Sequence, residues 1–461
     1  MKKNVLVKFA TMALLSAFLL SSCAGEGNPA ESPAANTAEI AAENTEEIGG
    51  ENTAKPEKLT ITLIEDQSME KVVRRFKTAH PEIEVETTIF TWSDIEKYVT
   101  QVPVEIMSGT ADDVINSIFY YNQYADHGVL TDFTELMDND KSFDKELYYN
   151  NVFDAMLYKG GLYAFPTAFD MEFVAVNKSI SEEDMARFKQ FDRVSPSDCL
   201  NFFNSVRNNY NLEFSDRYEP RTALVNREIP RFIDFENKTC DLVNEEFITL
   251  LEELKDAADP EFDPYKTQWS SNGYLKETDI GGKYLFKNND LNDHQYFFPF
   301  DENNFTHNIP SANEDGSLYI VPLSIFCIPS GSANKALAWE FIKFVISEDM
   351  QKITSDYNYF ITVNKNIQET ALRKRIVDFF DLAKNGNPDI SYVVSEGSDE
   401  EHIEKALAYF REMLSWPMGI AQTSDVTDFV WEEYEKYLKG AQTAEQAAAR
   451  MQNKIELKFM E

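Results

Sequence analysis

The sequence predicts an α/β fold, and three observations predict it. Strand-forming and helix-forming runs alternate from Leu59 to Ile118. That β-α-β-α-β order implies a parallel sheet covered by helices. The chain has 461 residues, room for two or three domains at about 100–200 residues each. Its apolar content of 43% and aromatic content of 13% can build cores, which separates it from disordered acidic tails.

Each element has a local reason. Leu59-Thr60-Ile61-Thr62-Leu63-Ile64 is rich in β-formers. A helix follows over about Ser68 to Thr78, with Val72, Val73 and Phe76 at helical spacing and His80-Pro81 as its stop. Residues 83–89 read as a second strand. Ser93-Asp94-Ile95-Glu96 has capping-box form, so a helix is expected from there to about Met107, with Ser108-Gly109 at its C-cap. Val114 to Ile118 is the third strand. From Ser179 to Gly282 the chain reads as helical and loop-rich, with an amphipathic helix at 247–254. Lys335 to Ile346 is nearly all apolar and predicts a helix buried on most sides. Thr443-Ala444-Glu445-Gln446 again has capping-box form, and its helix carries Ala447, Ala448, Met451 and Ile455.

The first 22 residues read as an address. Lys2, Lys3 and Lys8 precede a short apolar core from Phe9 to Leu20. About 20 apolar residues are needed to span a bilayer, so this is a signal peptide rather than a transmembrane helix. Leu20-Ser21-Ser22-Cys23 resembles the lipobox of bacterial lipoproteins, which implies cleavage before Cys23 and a lipid on its thiol. Residues 23–56 are rich in Ala, Glu, Asn, Pro, Gly and Thr and hold no aromatic, the composition of a disordered acidic tether.

Charge excludes some functions. With 43 Lys+Arg against 79 Asp+Glu the net charge is −36, and no long basic cluster offsets it, so nucleic acid is not an expected partner. Loss of residues 1–22 removes three lysines and no acid, which leaves −39. The four cysteines, Cys23, Cys199, Cys240 and Cys327, have no CxxC spacing, so no metal or redox motif is expected. Whether Cys199 and Cys240 pair is open at this level.

Six segments together are similar to family 1 of the extracellular solute-binding proteins of ABC importers, the maltose-binding-like group. Residues 76–85 match "F…(Y/H)P-x-I-x-V", 106–114 match "(L)-M-S-G-T-x-x-D-V", and 128–134 match "G-x-L-x-D-L-T". Residues 159–166 match "G-K-x-Y-A-x-P", 336–344 match "A-W-E-F-I-K-F", and 360–365 resemble "P-V-N-K". They occur in the family's order over some 300 residues. The resemblance implies a type II periplasmic-binding-protein-like fold, two α/β lobes joined by hinge strands. The implied crossings lie near Phe169–Val174, Leu318–Ile325 and Phe360–Lys365. Lobe one would be 57–170 plus 323–362, and lobe two 171–322 plus 363–461.

Catalysis is not expected. None of the five histidines has the spacing of a zinc helix, and no nucleophile elbow, P-loop or dinucleotide fingerprint is present. Neither a metal nor a cofactor is expected. A ligand would instead sit between the lobes, at the carboxyl ends of strands and around the hinges. Sugars present apolar faces and hydroxyl rims, which suit aromatic platforms and carboxylate acceptors. Candidates are Glu65 and Asp66 after the first strand, Trp92 after the second, and Tyr120 and Tyr121 after the third. Asp170 lies at the first hinge, where the resemblance implies a carboxylate on sugar hydroxyls. Trp269 and Trp416 lie in loops, and Asp425 precedes a helix where the maltose-binding relatives place ligand contacts. Trp339 and Trp431 sit in amphipathic helices and read as core.

The function implied is a monomeric, lipid-anchored, extracytoplasmic binding protein that delivers a solute to a membrane permease. Acid in the cleft would disfavour anions, so a neutral sugar or oligosaccharide is the first expectation. A polyamine or other cation held in an aromatic cage is an alternative. A surface glycan hydrolase or adhesin outside transport is another.

Overall fold

The computed structural model describes residues 57–117, 120–215, 228–257, 284–290, 305–358, 360–384, 400–420 and 426–460. The leader, Cys23, the tether, Trp269 and Asp425 lie outside them. The described residues all fall in one unit, Pro56–Glu261 with Trp269–Glu461.

Three parallel strands open the fold. β1 (Glu57–Ile64) lies between β2 (Ile83–Phe90) and β3 (Val114–Asn116), with Leu59 opposite Val85 and Ile61 opposite Val114. Leu59, Ile61 and Leu63 are at most 1% exposed. Helices Gln67–Ala79 and Ile95–Ser108 connect the strands, the first burying Met69, Val72, Val73 and Phe76 at three- and four-residue spacing. The third strand is shorter than its sequence suggests, because Ser117 takes φ +64° and turns the chain out of the ladder.

The remaining described strands are β4 (Phe165–Asn177), β5 (Glu213–Ser215), β6 (Ile233–Asp234), β7 (Thr239–Cys240), β8 (Tyr284–Asp290), β9 (Phe305–Pro310), β10 (Leu318–Cys327), β11 (Ile361–Thr362) and β12 (Met418–Ile420). β10 runs antiparallel to both β3 and β4. The sheet reads β2-β1-β3-β10-β4-β8-β5, with β9 and β11 also on β4 and β12 on β10. β6 and β7 form a separate hairpin.

β4 crosses between two cores. Its first half, Phe165 to Asp170, pairs with β10 and β11, and its second half, Glu172 to Asn177, with β8 and β9. Phe169, Met171 and Phe173 pack into the core built on β1–β3, and Val174 and Val176 into a second core. The first core takes in helix Lys335–Val345, and also Leu372, Leu407, Phe410 and Met413 from helices Lys365–Lys384 and Glu400–Met413. The second holds Phe188, Phe203, Phe247, Leu251, Phe286, Tyr434 and Met451.

Motif residues tie these elements together. Asp113 is 8% exposed and accepts hydrogen bonds from Thr60 N–H, Thr60 Oγ1, Ser332 Oγ and Asn334 Nδ2, joining β1 to the loop before helix Lys335–Val345. Gly109 ends its helix at φ +72°, where glycine carries no Cβ penalty. Asp132 caps helix Phe133–Asn139 and accepts from Leu162 N–H. Trp339 is buried, as its helical position suggests, and its indole donates to Asp140 Oδ2 at 2.9 Å. Trp431 is half-buried.

The two capping boxes differ. At Thr443 the box forms: Thr443 N–H donates to Gln446 Oε1 and Gln446 N–H to Thr443 Oγ1, and Ala447, Ala448, Met451 and Ile455 are all fully buried. At Ser93 it does not form. Trp92–Asp94 is a 3-10 turn, which draws the Ser93 hydroxyl onto Thr91 Oγ1 at 2.6 Å, while Thr91 Oγ1 also donates to Asp94 Oδ2. Cys199, Cys240 and Cys327 are all free thiols.

Candidate functional site

The parallel order of β2, β1 and β3 brings three turn tips to one sheet edge. Glu65-Asp66 follows β1, Thr91–Asp94 follows β2, and Ser117 and Tyr120 follow β3. Strands about 4.8 Å apart set the outer two tips about 10 Å from each other, with the β1 tip between. Open α/β sheets bind ligands at this kind of edge, where helix N-termini converge.

Side chains at the edge divide by role. Asp66 caps helix Gln67–Ala79, its Oδ1 accepting from Ser68 N–H at 2.7 Å, Ser68 Oγ at 2.6 Å and Met69 N–H at 3.2 Å. Glu65 is exposed, and only its backbone is fixed, by donation to the Phe90 carbonyl. Trp92 is 66% exposed, high for a tryptophan. Tyr120 is 39% exposed and held at φ +55°. Tyr121 packs into the first core instead. Its hydroxyl donates to the Met156 carbonyl, and burial pushes its phenol well above the usual range.

Behind this edge the crossing strands add hydroxyls. Asp66, Ser68, Thr167, Ser324, Ser355 and Thr362 line one pocket that joins the end of β1 to β4, β10 and β11. Asp170 lies three residues further along β4, opposite Val321, 7% exposed, with Oδ1 accepting from Met171 N–H. Trp416 stands elsewhere, against the first core beside β12. Its ring face is covered by the Arg193 guanidinium at 4.7 Å, and its carbonyl accepts from Asn151. The fold thus gathers Glu65, Asp66, Trp92 and Tyr120 at one edge and sets Trp416 apart.

Backbone strain marks the same place. Ser117, Tyr120 and Ser324 are non-glycine residues at positive φ, +64°, +55° and +47°. Ser117 N–H donates to the Ile325 carbonyl at 2.6 Å, and Asn116 Nδ2 reaches Ser324 Oγ at 3.5 Å. Such conformations persist where surrounding structure over-determines them, and they concentrate at functional sites. Sequence reasoning missed Asn116, Ser117 and Ser324, since a serine carries no signature of a left-handed backbone. Among the described residues no group of three His, Cys, Asp or Glu side chains could hold a metal ion.

Comparison with known proteins bears on this geometry. Residues 61–196 match the family model of bacterial extracellular solute-binding proteins. That segment contains the second half of β1, all of β2, β3 and β4, and the edge just described. No curated protein matches the sequence. Solved structures share the fold. The sugar-binding protein MalE from Xanthomonas citri superposes with a TM-score of 0.59 at 13% identity, over 87% of this chain and 97% of that one. An ABC substrate-binding protein from Listeria monocytogenes, in complex with cycloalternan, gives 0.54 at 17% identity over 88% and 100%. The cyclic α-maltosyl-1,6-maltose binding protein from Arthrobacter globiformis gives 0.52 at 13% identity over 88% and 99%. The fold is the type II periplasmic-binding-protein-like one that the sequence motifs implied. No helix among the described residues is long and apolar enough to cross a membrane.

Proposed function

We propose that this chain is the substrate-binding protein of an ABC importer and captures a neutral sugar or oligosaccharide between two hinged lobes. The observation that carries the reading is β4, one continuous strand whose two halves pair with different partners and pack into different cores. A strand of this kind can bend while both cores stay intact, the requirement for hinge closure. The lobes would be 57–170 plus 323–362 and 171–322 plus 363–461, except that helices Lys365–Lys384 and Glu400–Met413 bury Leu372 and Phe410 in the first core and would move with the first lobe. The family match and the sugar-binding proteins of like fold support a sugar ligand.

Glu65, Trp92 and Tyr120 would supply acceptor and stacking surfaces from the first lobe, with Asp66, Asp170, Ser324 and Thr362 behind them. Trp269 and Asp425 remain candidates, while Tyr121 is committed to the first core and the Trp416 ring to Arg193. Ligand that touches both lobes only in the closed form shifts the population toward it. Closed protein would then dock on permease subunits of the membrane, and Cys23 would carry the lipid that keeps it there.

The test is a thermal-shift and calorimetry panel of neutral mono- to tetrasaccharides, cycloalternan, spermidine and mixed peptides. A true ligand at 100 times its Kd stabilises by about 2.7 kcal/mol. Saccharide binding without turnover is expected. Stabilisation by spermidine alone would move the ligand class to cations, and released hydrolysis product would overturn the transport reading. Cys23→Ala is expected to free the protein from cell membranes; wild-type protein that is equally free would refute the anchor.

A further inference from the structure

Away from β4 and β10, the β6–β7 hairpin meets the first core through one hydrogen bond and one longer ion pair. The β6–β7 hairpin belongs to the second core: Ile233 and Phe235 are buried there. Its base is fixed to helix Ala444–Met460, whose Gln452 Oε1 accepts from Leu242 and Val243 N–H. The hairpin tip holds Glu236 and Lys238. Opposite it stands the turn Tyr158–Gly161, closed by paired backbone hydrogen bonds, with Tyr158 and Leu162 in the first core.

The contact alternates in sign. Glu236 Oε1 accepts from the backbone N–H of Lys159 at 3.3 Å. Lys159 Nζ lies 2.6 Å from Asp126 Oδ1, and Tyr158 donates its hydroxyl to the same oxygen at 3.0 Å. Lys238 Nζ lies 3.9 Å from Asp126 Oδ2. Asp126 ends helix Tyr121–Asp126, which starts at the edge of the candidate site. Both lysines sit at positive φ, +49° for Lys159 and +56° for Lys238, so each turn is bent at the residue that enters the contact.

We propose that the β6–β7 hairpin is an electrostatic latch between the two lobes and that Glu236, Lys238, Asp126 and Lys159 hold the conformation described here. The latch rests on the two-lobe hinge reading and adds to it a set point. Charges at a mobile boundary bias a two-state hinge before any ligand arrives, and ligand affinity scales with the fraction of the binding-competent state. Exposed pairs contribute little each, so the bias is tunable: loss of one pair shifts the equilibrium roughly two- to fivefold. It is also sensitive to salt.

The experiment measures inter-lobe distance distributions by double electron–electron resonance in the full mature chain. Spin labels go on Val104→Cys in the first lobe and Leu457→Cys in the second, both exposed positions, in a Cys240→Ser background. Lys238→Met and Glu236→Gln are each expected to move roughly two- to fivefold of the population toward a second distance. Sodium chloride at 1 M should do the same to the unsubstituted latch and add nothing once Lys238→Met and Glu236→Gln are combined in one chain. Lys374→Met, which breaks an exposed pair within one helix, is the control and should move nothing. Two distances whose ratio ignores both latch substitutions and salt would overturn the latch and leave the hinge standing. An equal shift from Lys374→Met would also overturn it, since the effect would then be general charge. One fixed distance under every condition, saccharides included, would overturn hinge and latch together.

Discussion

Glu228 carries the strongest pH prediction. It is 1% exposed, yet ionisable. Burial, and then Glu314 beside it, push its carboxyl up to about 8 against the pull of Arg231, whose Nη1 donates to Glu228 Oε2 at 2.8 Å. Ser197 links the two acids: its N–H donates to Glu314 Oε1 at 2.9 Å, and its Oγ reaches Glu228 Oε1 at 3.4 Å. A folded-state pKa above the unfolded value means that the folded chain holds the proton longer. This group's contribution is therefore full at acid pH and is lost as pH rises from about 4.5 through about 8. One proton changes stability by up to about 1.4 kcal/mol per pH unit, so the loss by pH 7 is at most about 3 kcal/mol. Glu228→Gln removes the titration and keeps a side chain that can hydrogen-bond to Ser197 and Glu314. Calorimetric melting at pH 5, 6, 7 and 8 should show the wild type losing stability relative to the variant, with the variant ahead by about 1–3 kcal/mol at pH 8. Parallel pH profiles would refute the assignment of a buried titrating proton to Glu228.

Three further outcomes are expected. Gly161→Ala should destabilise by about 1–3 kcal/mol in calorimetry, because a Cβ there would meet the Tyr163 ring at 2.7 Å and Asp132 Oδ2 at 2.8 Å. Trp92→Ala should leave melting within about 0.5 kcal/mol and weaken saccharide binding about tenfold in titration calorimetry, given the worth of one aromatic face. Glu433 is 1% exposed; burial works against its charge, but Lys436, Lys454 and Gln442 hold its carboxyl down to about 2. Its stabilisation is thus present above about 4.5 and lost as pH falls toward 2, and Glu433→Ala should cost about 1–3 kcal/mol at pH 7 by removing the acceptor that Gln442 shares with Lys436 and Lys454, while both lysines keep Glu432.

How much of this was legible depends on how local each cause is. The Thr443 capping box, the buried Lys335–Val345 helix and the alternation of β1 are written in neighbouring residues, and the fold reproduces them. Ser93 carried the same local signal and failed, because Thr91, just before the motif, competes for its hydroxyl. Asp66 and Tyr121 show a further limit. Position after a strand put both among site candidates, but only three-dimensional packing separates a helix cap and a core tyrosine from the exposed Trp92 and Tyr120 beside them.

The least legible features are those whose partners lie far apart in the chain. Glu228 and Glu314 meet across 86 residues, Asp126 and Lys238 across 112, and Asn116 and Ser324 across 208. None of these residue types is rare in a chain with 79 acids, so composition gives no cue that these particular ones converge. Two of these pairs lie where the cores meet. Asn116 and Ser324 meet beside β10, and Asp126 and Lys238 meet where the β6–β7 hairpin reaches the first core. β4 changes core between Phe173 and Val174, so the boundary it crosses is a seam with polar contacts on it. If hinge bending is what the seam is for, substitutions there should change conformational populations and ligand affinity more than melting temperature, while substitutions within either core should do the reverse.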